Sequence, residues 1–134
     1  LAYEVGIVNP VKIDEINILN ASILAMHKAL NKIDIKFEVL LIDGPYFKNY
    51  KNYMHECIIR GDSKFQAIAA ASIIAKTYRD KLMSKIHKDF PSYNWLSNKG
   101  YPTKEHRKAI EIKGVSIHHR KSYKLVDNQI SLKI

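Results

Sequence analysis

Two aspartates in this sequence each follow an apolar, strand-like segment. Asp43 comes directly after residues 37–42, and Asp62 follows Gly61 after residues 54–59. Open α/β sheets hold ligands at the carboxyl ends of their strands, so carboxylates at two neighbouring strand ends are suited to share a hard divalent cation such as Mg²⁺. The alternatives are a plain turn at Asp43 and helix capping by Asp62. Two carboxylates alone are few ligands for a divalent-cation site.

Other kinds of catalytic or metal centre have little support in the sequence. The six histidines lack the ligand spacing of a zinc site, and no glycine-rich phosphate loop is present. His118 and His119 lie in a basic tail, where we expect surface or phosphate-facing side chains. Cys57, the single cysteine, cannot form an internal disulfide, and we expect it to pack as a small hydrophobe in a protein of the reducing cytoplasm.

The elements that must position these residues alternate along the chain. Hydrophobic periodicity predicts strands at 3–8, 37–42 and 54–59. It predicts helices over 13–33, from an alanine-rich stretch at 67–76 to just before Pro91, and from a Thr103 cap to Gly114. The first of these helices carries one apolar stripe that we expect to be buried, at Ile16, Leu19, Ile23, Met26, Leu30 and Ile33. The continuous apolar character of 37–42 predicts a strand covered on both faces. This order predicts one α/β domain over residues 1–134, with a basic, irregular tail at 115–134.

Composition narrows the class of partner. The chain has 134 residues with 22 Lys and Arg against 13 Asp and Glu, a formal charge of +9. This charge favours an anionic partner such as nucleic acid, although lysines on solvated faces would give the same balance. No apolar run is long enough to span a membrane, and no secretion leader is visible. Because the chain starts at Leu1 inside folded-looking sequence, we expect a fragment.

Motifs spread along the chain resemble the bacterial type 2 ribonuclease H family, ribonuclease HII. In chain order they are Ile13-Asp14, Asn17-Ile18, Ala21, Ala25-Met26, Leu41-Ile42-Asp43-Gly44, Gly61-Asp62-Ser63, Ile68, Ala70-Ala71-Ser72-Ile73, Ala75-Lys76, Arg79-Asp80, Lys99-Gly100-Tyr101-Pro102-Thr103, His106, His118-His119-Arg120 and Ser122. The resemblance covers residues 3–123 in the family's order.

The resemblance implies a ribonuclease H-like fold, in which helices flank a central mixed sheet. It implies an endonuclease that hydrolyses the RNA strand of RNA/DNA hybrids and cuts on the 5′ side of ribonucleotides embedded in duplex DNA. The implied mechanism is two-metal catalysis with Mg²⁺ or Mn²⁺. The family uses four carboxylates, of which Asp43 and Asp62 match the third and fourth, and Asp80 matches a position outside the four.

Substrate contacts are also carried over from the family. Tyr101 matches the tyrosine that packs on the sugar at the RNA–DNA junction and senses its 2′-hydroxyl, and Lys99 belongs to the same run. Arg120 and Ser122 match a basic tail motif expected near the phosphate backbone. The remaining two candidates for that role are weaker: they are Ser72 and Lys76.

Departures from the family define further expectations. The family's opening strand, with an adjacent Asp-Glu pair and a Gly-Arg-Gly, has no counterpart here, so the chain is expected to be N-terminally truncated and inactive when isolated. Asn98 stands where the family usually has His, and Tyr123-Lys124 replaces Phe-Gly. Missing first strands would leave a bare apolar edge, so we expect the fragment to self-associate, whereas the full-length form is expected to be a monomer.

Two other functions remain open. A non-catalytic nucleic-acid-binding remnant of the same fold would keep Tyr101 and the basic tail without turnover. Another nuclease of the same superfamily would share the carboxylates but not the run at 99–103. Hybrid binding without cleavage by the longest native open reading frame would distinguish the first alternative from the enzyme.

Overall fold

Two parallel strands and four α-helices form the regular structure of residues 2–123, the part of the chain that this computed structural model describes. The elements are α1 (Pro10–Leu30), β1 (Val39–Asp43), β2 (Met54–Ile58), α2 (Gln66–Asp89), α3 (Trp95–Asn98) and α4 (Lys104–Lys113), with 3₁₀ helices at Gly61–Ser63 and Pro91–Tyr93. The predicted α/β class is confirmed. The expected tail has turns but no helix or strand up to residue 123, and residues 124–134 lie outside the described part.

Helix α1 has a cap at its start and a break inside it. Asn9 accepts a hydrogen bond from the Lys12 N–H at 2.8 Å, and Pro10 occupies the first turn, where its missing N–H costs nothing. Asn17 leaves the helical conformation with φ 66°, and its side-chain oxygen accepts the Asn20 N–H at 3.1 Å. The predicted single helix therefore consists of two segments, the second capped again by Asn17.

The apolar stripe of α1 packs into the first of two hydrophobic clusters. Cluster 1 consists of the buried residues Ile23, Leu40, Ile42, Phe47 and Tyr50. Met26 and Leu30 pack against it as predicted, and so does Cys57, as expected of a small hydrophobe. Leu19 is half exposed, so the prediction of a stripe buried along its whole length is wrong there.

Strands β1 and β2 pair in parallel, from Val39 opposite Met54 to Asp43 opposite Ile58. Burial alternates along β1: Leu40 is buried in cluster 1, whereas Val39 is 45% exposed. The prediction that this strand is covered on both faces is wrong for the described residues, because cluster 1 packs on the face of Leu40 and Ile42, whereas on the other face Leu41 is only partly buried and Val39 is exposed. Its second edge has no partner strand in the described part of the chain.

Residues 3–8 do not form the predicted strand. The segment crosses α1, where Gly6 lies so close to the helix backbone that a Cβ would stand 1.8 Å from the Ala25 carbonyl oxygen. The ammonium group of Lys32 donates to the Val5 carbonyl at 2.9 Å. Because the segment has no neighbouring strand among the described residues, it makes no sheet hydrogen bonds there.

Cluster 2 joins the end of α2 to the C-terminal helices. It consists of Tyr93, Trp95 and Ile110, with Met83, Ile86, Phe90 and Ala109 packed against it. The alanine-rich stretch of α2 is largely exposed, and Ile68 is its one buried residue. No described helix is both long and apolar enough to span a bilayer.

The last helix follows the sequence prediction closely. Thr103 caps α4 by accepting the His106 N–H at 3.2 Å, and Gly114 ends it with φ 76°, a left-handed conformation that glycine tolerates. The short helix α3 was not predicted. It starts from Asn94 and ends at Lys99, both with positive φ, and four residues are too few to show a helical period.

Candidate active site and nucleic-acid interface

The two candidate metal-binding aspartates lie at the same edge of the sheet. Asp43 is the last residue of β1, and its Oδ1 accepts a hydrogen bond from the Gly61 N–H at 2.9 Å. Asp62 follows directly in the 3₁₀ helix after β2. Parallel pairing brings both strand ends to one edge, and the Asp43–Gly61 bond fixes the turn that carries Asp62. Both aspartates are exposed.

This pair fits part of a divalent-cation site. Carboxylate oxygens are the ligands that Mg²⁺ and Mn²⁺ prefer, and the other Asp43 oxygen and the Asp62 carboxylate are not hydrogen-bonded to any described residue. Within residues 2–123, however, no three His, Cys, Asp or Glu side chains come together in a metal-binding arrangement. The described residues therefore supply two carboxylates and not a complete cation site.

A second candidate group surrounds Tyr101, which is 60% exposed. The Arg79 guanidinium of α2 lies 5.0 Å from the centre of this ring, within the range of a cation–π interaction. Its Nη2 donates to the Lys99 carbonyl at 3.1 Å. The Lys99 ammonium in turn donates to the Ser84 hydroxyl at 3.2 Å. Helix α2 thus holds the Tyr101 loop at two points.

Asn98 supports the same loop from beneath. Its side chain is buried and donates to the Tyr93 carbonyl at 2.8 Å, while its oxygen accepts the Gly100 N–H at 2.9 Å. Lys99 and Gly100 both have positive φ, so the backbone turns sharply before Tyr101. The residue that departs from the family pattern at position 98 is therefore part of the loop's support.

The third candidate group, Arg120 and Ser122, meets the start of α1. Asp14 accepts hydrogen bonds from the Lys121 N–H at 2.7 Å, the Ser122 N–H at 3.2 Å and the Ser122 hydroxyl at 2.5 Å. Partial burial raises the pKa of Asp14, but these three hydrogen bonds and the nearby Arg120 charge together lower it by more. The pKa therefore lies below its usual value. The carboxylate is accordingly ionised at neutral pH.

Comparison with known proteins identifies the family. The family model described as Ribonuclease HII matches residues 1–126. The chain is 57% identical over 132 residues to a Ribonuclease HII of Christiangramia forsetii, covering 98% of the chain and 67% of that relative. It is 52% identical over 134 residues to one of Phocaeicola vulgatus, covering 100% of the chain and 67% of that relative. The chain belongs to the ribonuclease HII family.

Membership confirms several predictions at the level of the family. The chain belongs to a family of endoribonucleases, which are phosphodiester hydrolases, and its small parallel sheet with flanking helices is consistent with a ribonuclease H-like fold. The chain is also 53% identical over 133 residues to a Ribonuclease HII of Bacteroides fragilis. That match covers 98% of the chain and 66% of the relative. The chain thus spans about two thirds of the length of these ribonuclease HII relatives.

Two of the ribonuclease HII site candidates stand apart from the rest. Ser72 and Lys76 lie exposed on α2, one turn from each other, and neither side chain hydrogen-bonds to another described residue. The structure therefore assembles three groups: the two aspartates, the Tyr101 loop with Lys99, and the tail with Arg120 and Ser122. Within residues 2–123, no hydrogen bond or ion pair joins Ser72 or Lys76 to any of them.

One tail expectation from the sequence is wrong. His119 is buried and packs on Tyr93, with ring centroids 4.7 Å apart, so it does not face solvent or phosphate. Its Nδ1 accepts the Ser116 N–H at 2.9 Å. Burial lowers the pKa of His119 to about 4, an effect that the His106 and His118 charges increase and the Ser116 hydrogen bond opposes. His119 is a neutral core residue.

The sequence motifs include Asp14 and Arg79, but sequence reasoning assigned no function to either residue. Both belong to motifs of the ribonuclease HII family, but their partners lie far away in the chain: Asp14 meets residues more than 100 positions later, and Arg79 meets a loop more than 15 positions later. Periodicity reports local structure only, so no signal in the sequence could have paired them.

Proposed function

We propose that this chain carries half of the metal site and the junction-sensing loop of an endonuclease. This enzyme hydrolyses the RNA strand of RNA/DNA hybrids and cuts on the 5′ side of ribonucleotides embedded in duplex DNA. The supporting observation is the placement of Asp43 and Asp62 at one sheet edge, joined through the Asp43–Gly61 hydrogen bond. Family membership supports the same reaction class.

Asp43 and Asp62 are the residues that would hold Mg²⁺ or Mn²⁺. A divalent cation bound there supplies water activation and stabilises the leaving oxygen of a phosphodiester. The carboxylates suit this role because they bind hard cations and, being exposed at a strand end, can be reached by a phosphate group. Two-metal hydrolysis is the mechanism that we assign to the complete site.

Tyr101 is the residue proposed to recognise the ribonucleotide. Its exposed side chain offers a flat aromatic surface for a sugar, and its hydroxyl can hydrogen-bond to the 2′-hydroxyl group that distinguishes RNA from DNA. The net charge of +9 supplies a sequence-independent attraction to the phosphate backbone, so duplex affinity falls steeply with salt.

A second candidate function applies to the 134-residue chain by itself. Because its described residues bring together only two carboxylates, the isolated chain is proposed to bind hybrids without cleaving them. This is the behaviour of a nucleic-acid-binding module with the same fold. The free thiol of Cys57 supports a reducing, cytoplasmic location for either function.

Cleavage of a duplex that contains a single ribonucleotide tests the proposal. We compare the 134-residue chain with a chimera that adds those segments of the Christiangramia forsetii relative that the chain does not cover, in Mg²⁺ and in Mn²⁺. The expected result is binding without cleavage for the chain and 5′-side cleavage for the chimera. Asp43→Asn and Asp62→Asn should reduce chimera cleavage to background, whereas the exposed control Asp34→Asn should not.

Two outcomes contradict this assignment. Robust cleavage by the isolated chain would mean that two carboxylates suffice. Cleavage by the chimera that survives Asp43→Asn would remove Asp43 from the metal site.

A further inference from the structure

The carboxylate of Asp14 holds together two parts of the chain that are more than 100 residues apart. Both of its oxygens are used: Oδ2 by the Lys121 N–H, and Oδ1 by the N–H and the hydroxyl of Ser122. We call this arrangement the Asp14 clamp. Hydrogen bonds to an ionised acceptor are about twice as strong as neutral ones, so three on one carboxylate fix the backbone at 121–122 firmly.

Arg120 lies in the chain between this clamp and the buried His119, which is a second fixed point. On its other side, the buried His119 packs on Tyr93 and is hydrogen-bonded by Ser116. The backbone of Arg120 is therefore held at both neighbours. Its Nε is buried without a hydrogen-bond partner among the described residues, and its guanidinium lies 5.2 Å from the centre of the Tyr123 ring.

We propose that Asp14 is a positioning residue for nucleic-acid binding, which fixes the tail so that the Arg120 guanidinium faces the phosphate backbone of the duplex. The inference rests on the proposed function, since it assigns Arg120 a phosphate contact. Asp14 itself touches no substrate. Its effect on binding is transmitted through the backbone at 121–122 to Arg120.

The clamp also revises the role expected for Ser122. Its N–H and its hydroxyl proton are both donated to Asp14, so neither is available to a phosphate oxygen. Ser122 therefore acts through Asp14 and not on the nucleic acid. A direct phosphate contact would instead make its contribution independent of Asp14.

Binding cycles on the 134-residue chain test these assignments. The probe is a fluorescent duplex that contains one ribonucleotide, titrated at several salt concentrations. Asp14→Asn should weaken binding several-fold and lower the slope of log K against log salt by about 1, as does loss of one phosphate contact. Glu15→Gln is the matched control: it removes the neighbouring charge, whose one ion-pair partner within residues 2–123 is the exposed Lys12 at 2.6 Å. It should leave the slope nearly unchanged.

Combining the variants identifies the path of the effect. Asp14→Asn should have no further effect in an Arg120→Gln background, and Ser122→Ala should have none in an Asp14→Asn background. Additive losses in the first pair would show that Asp14 does not act through Arg120. Additive losses in the second would show that Ser122 contacts the duplex itself. The first result overturns the inference for Asp14, and the second overturns the role given to Ser122.

Amide hydrogen exchange provides a readout that does not depend on nucleic acid. The Lys121 and Ser122 amides should be protected in the parent chain and in Arg120→Gln, and should exchange faster in Asp14→Asn. Equal exchange in parent and Asp14→Asn overturns the clamp whatever the function. Protected amides in a parent chain that binds no duplex contradict the proposed function, and with it the role of Arg120.

Discussion

The guanidinium of Arg79 lies over the ring of Tyr101, 5.0 Å from its centre, and also donates to the Lys99 carbonyl at 3.1 Å. One side chain of α2 thus holds both the backbone and the aromatic ring of the loop proposed to sense the ribose. Tyr101 remains 60% exposed beside this contact, so part of the side chain is open to a sugar.

Replacing Arg79 should loosen this loop. Arg79→Gln removes the cation over Tyr101, an interaction worth about 0.5–1 kcal/mol at an exposed site. We expect a roughly two- to fivefold loss in the preference for a duplex with one ribonucleotide over all-DNA duplex. Arg79→Lys should restore little, because lysine lacks the planar fork. The exposed Lys81→Gln removes an equal charge from α2 and should leave the preference intact; an equal loss there would mean that charge alone decides.

Asn98 should be a stability residue of the same loop. Asn98→Ala leaves the Tyr93 carbonyl and the Gly100 N–H without their partner in a buried position, which should lower the free energy of unfolding by about 1–3 kcal/mol. Urea unfolding followed by Trp95 fluorescence measures this loss. The neighbouring exposed Ser97→Ala is the control. Equal stability of the two variants would show that the Asn98 hydrogen bonds contribute nothing.

Because His119 is buried, we expect the free energy of unfolding to fall in mild acid. Burial lowers its pKa to about 4 from 6.5, so the unfolded chain binds a proton between these values that the folded chain does not. This stabilising contribution is complete above pH 6.5 and is lost as the pH falls towards 4, up to roughly 3 kcal/mol since one pKa unit is about 1.4 kcal/mol. Urea unfolding across this range measures it.

His119→Phe should flatten that pH dependence, because phenylalanine cannot take up the proton. His55→Gln, at a half-buried position of β2, is the control and should keep the parent slope. A parent slope that survives His119→Phe would assign the acid sensitivity to the carboxylates.

The unpaired edge of β1 should make the 134-residue chain associate with itself. A strand edge with free N–H and C=O groups and an exposed residue such as Val39 is a template for pairing. We expect sedimentation to show mass rising with concentration. Val39→Lys, which places a charge on this edge, should reduce the association, whereas Val115→Lys at an exposed position outside the strands should not. A monodisperse parent chain would contradict this prediction.

Local patterns predicted most elements but not their packing. Hydrophobic periodicity located α1, α2 and α4, and the Thr103 cap and Gly114 gave the ends of α4, since these signals depend on neighbours in the sequence; the predicted bounds of α1, 13–33, were three residues late at each end. The strand predicted at 3–8 failed because pairing needs a partner elsewhere in the chain. Similarly, the apolar composition of β1 did not show how many of its faces are buried, because burial depends on which elements pack against the strand.

The candidate site shows the same division. Asp43 and Asp62 were found from strand-end positions, and the structure places both strand ends at one edge. The residues that orient the other candidates, Arg79 and Asp14, act across long stretches of chain and gave no signal beyond the family motifs. His119 was mistaken for a surface residue because its aromatic partners come from an unpredicted turn.

The separation of the core into two clusters has a consequence for cooperativity. Cluster 1 and cluster 2 share no residue, and the long, mostly exposed helix α2 lies between them in the chain. Once the Asp14 clamp has opened, heating should therefore melt the two clusters as separate units, with two overlapping heat-absorption peaks in place of one. Partial unfolding around cluster 1 would free the strand ends that carry Asp43 and Asp62, while the Tyr101 loop stays folded on cluster 2.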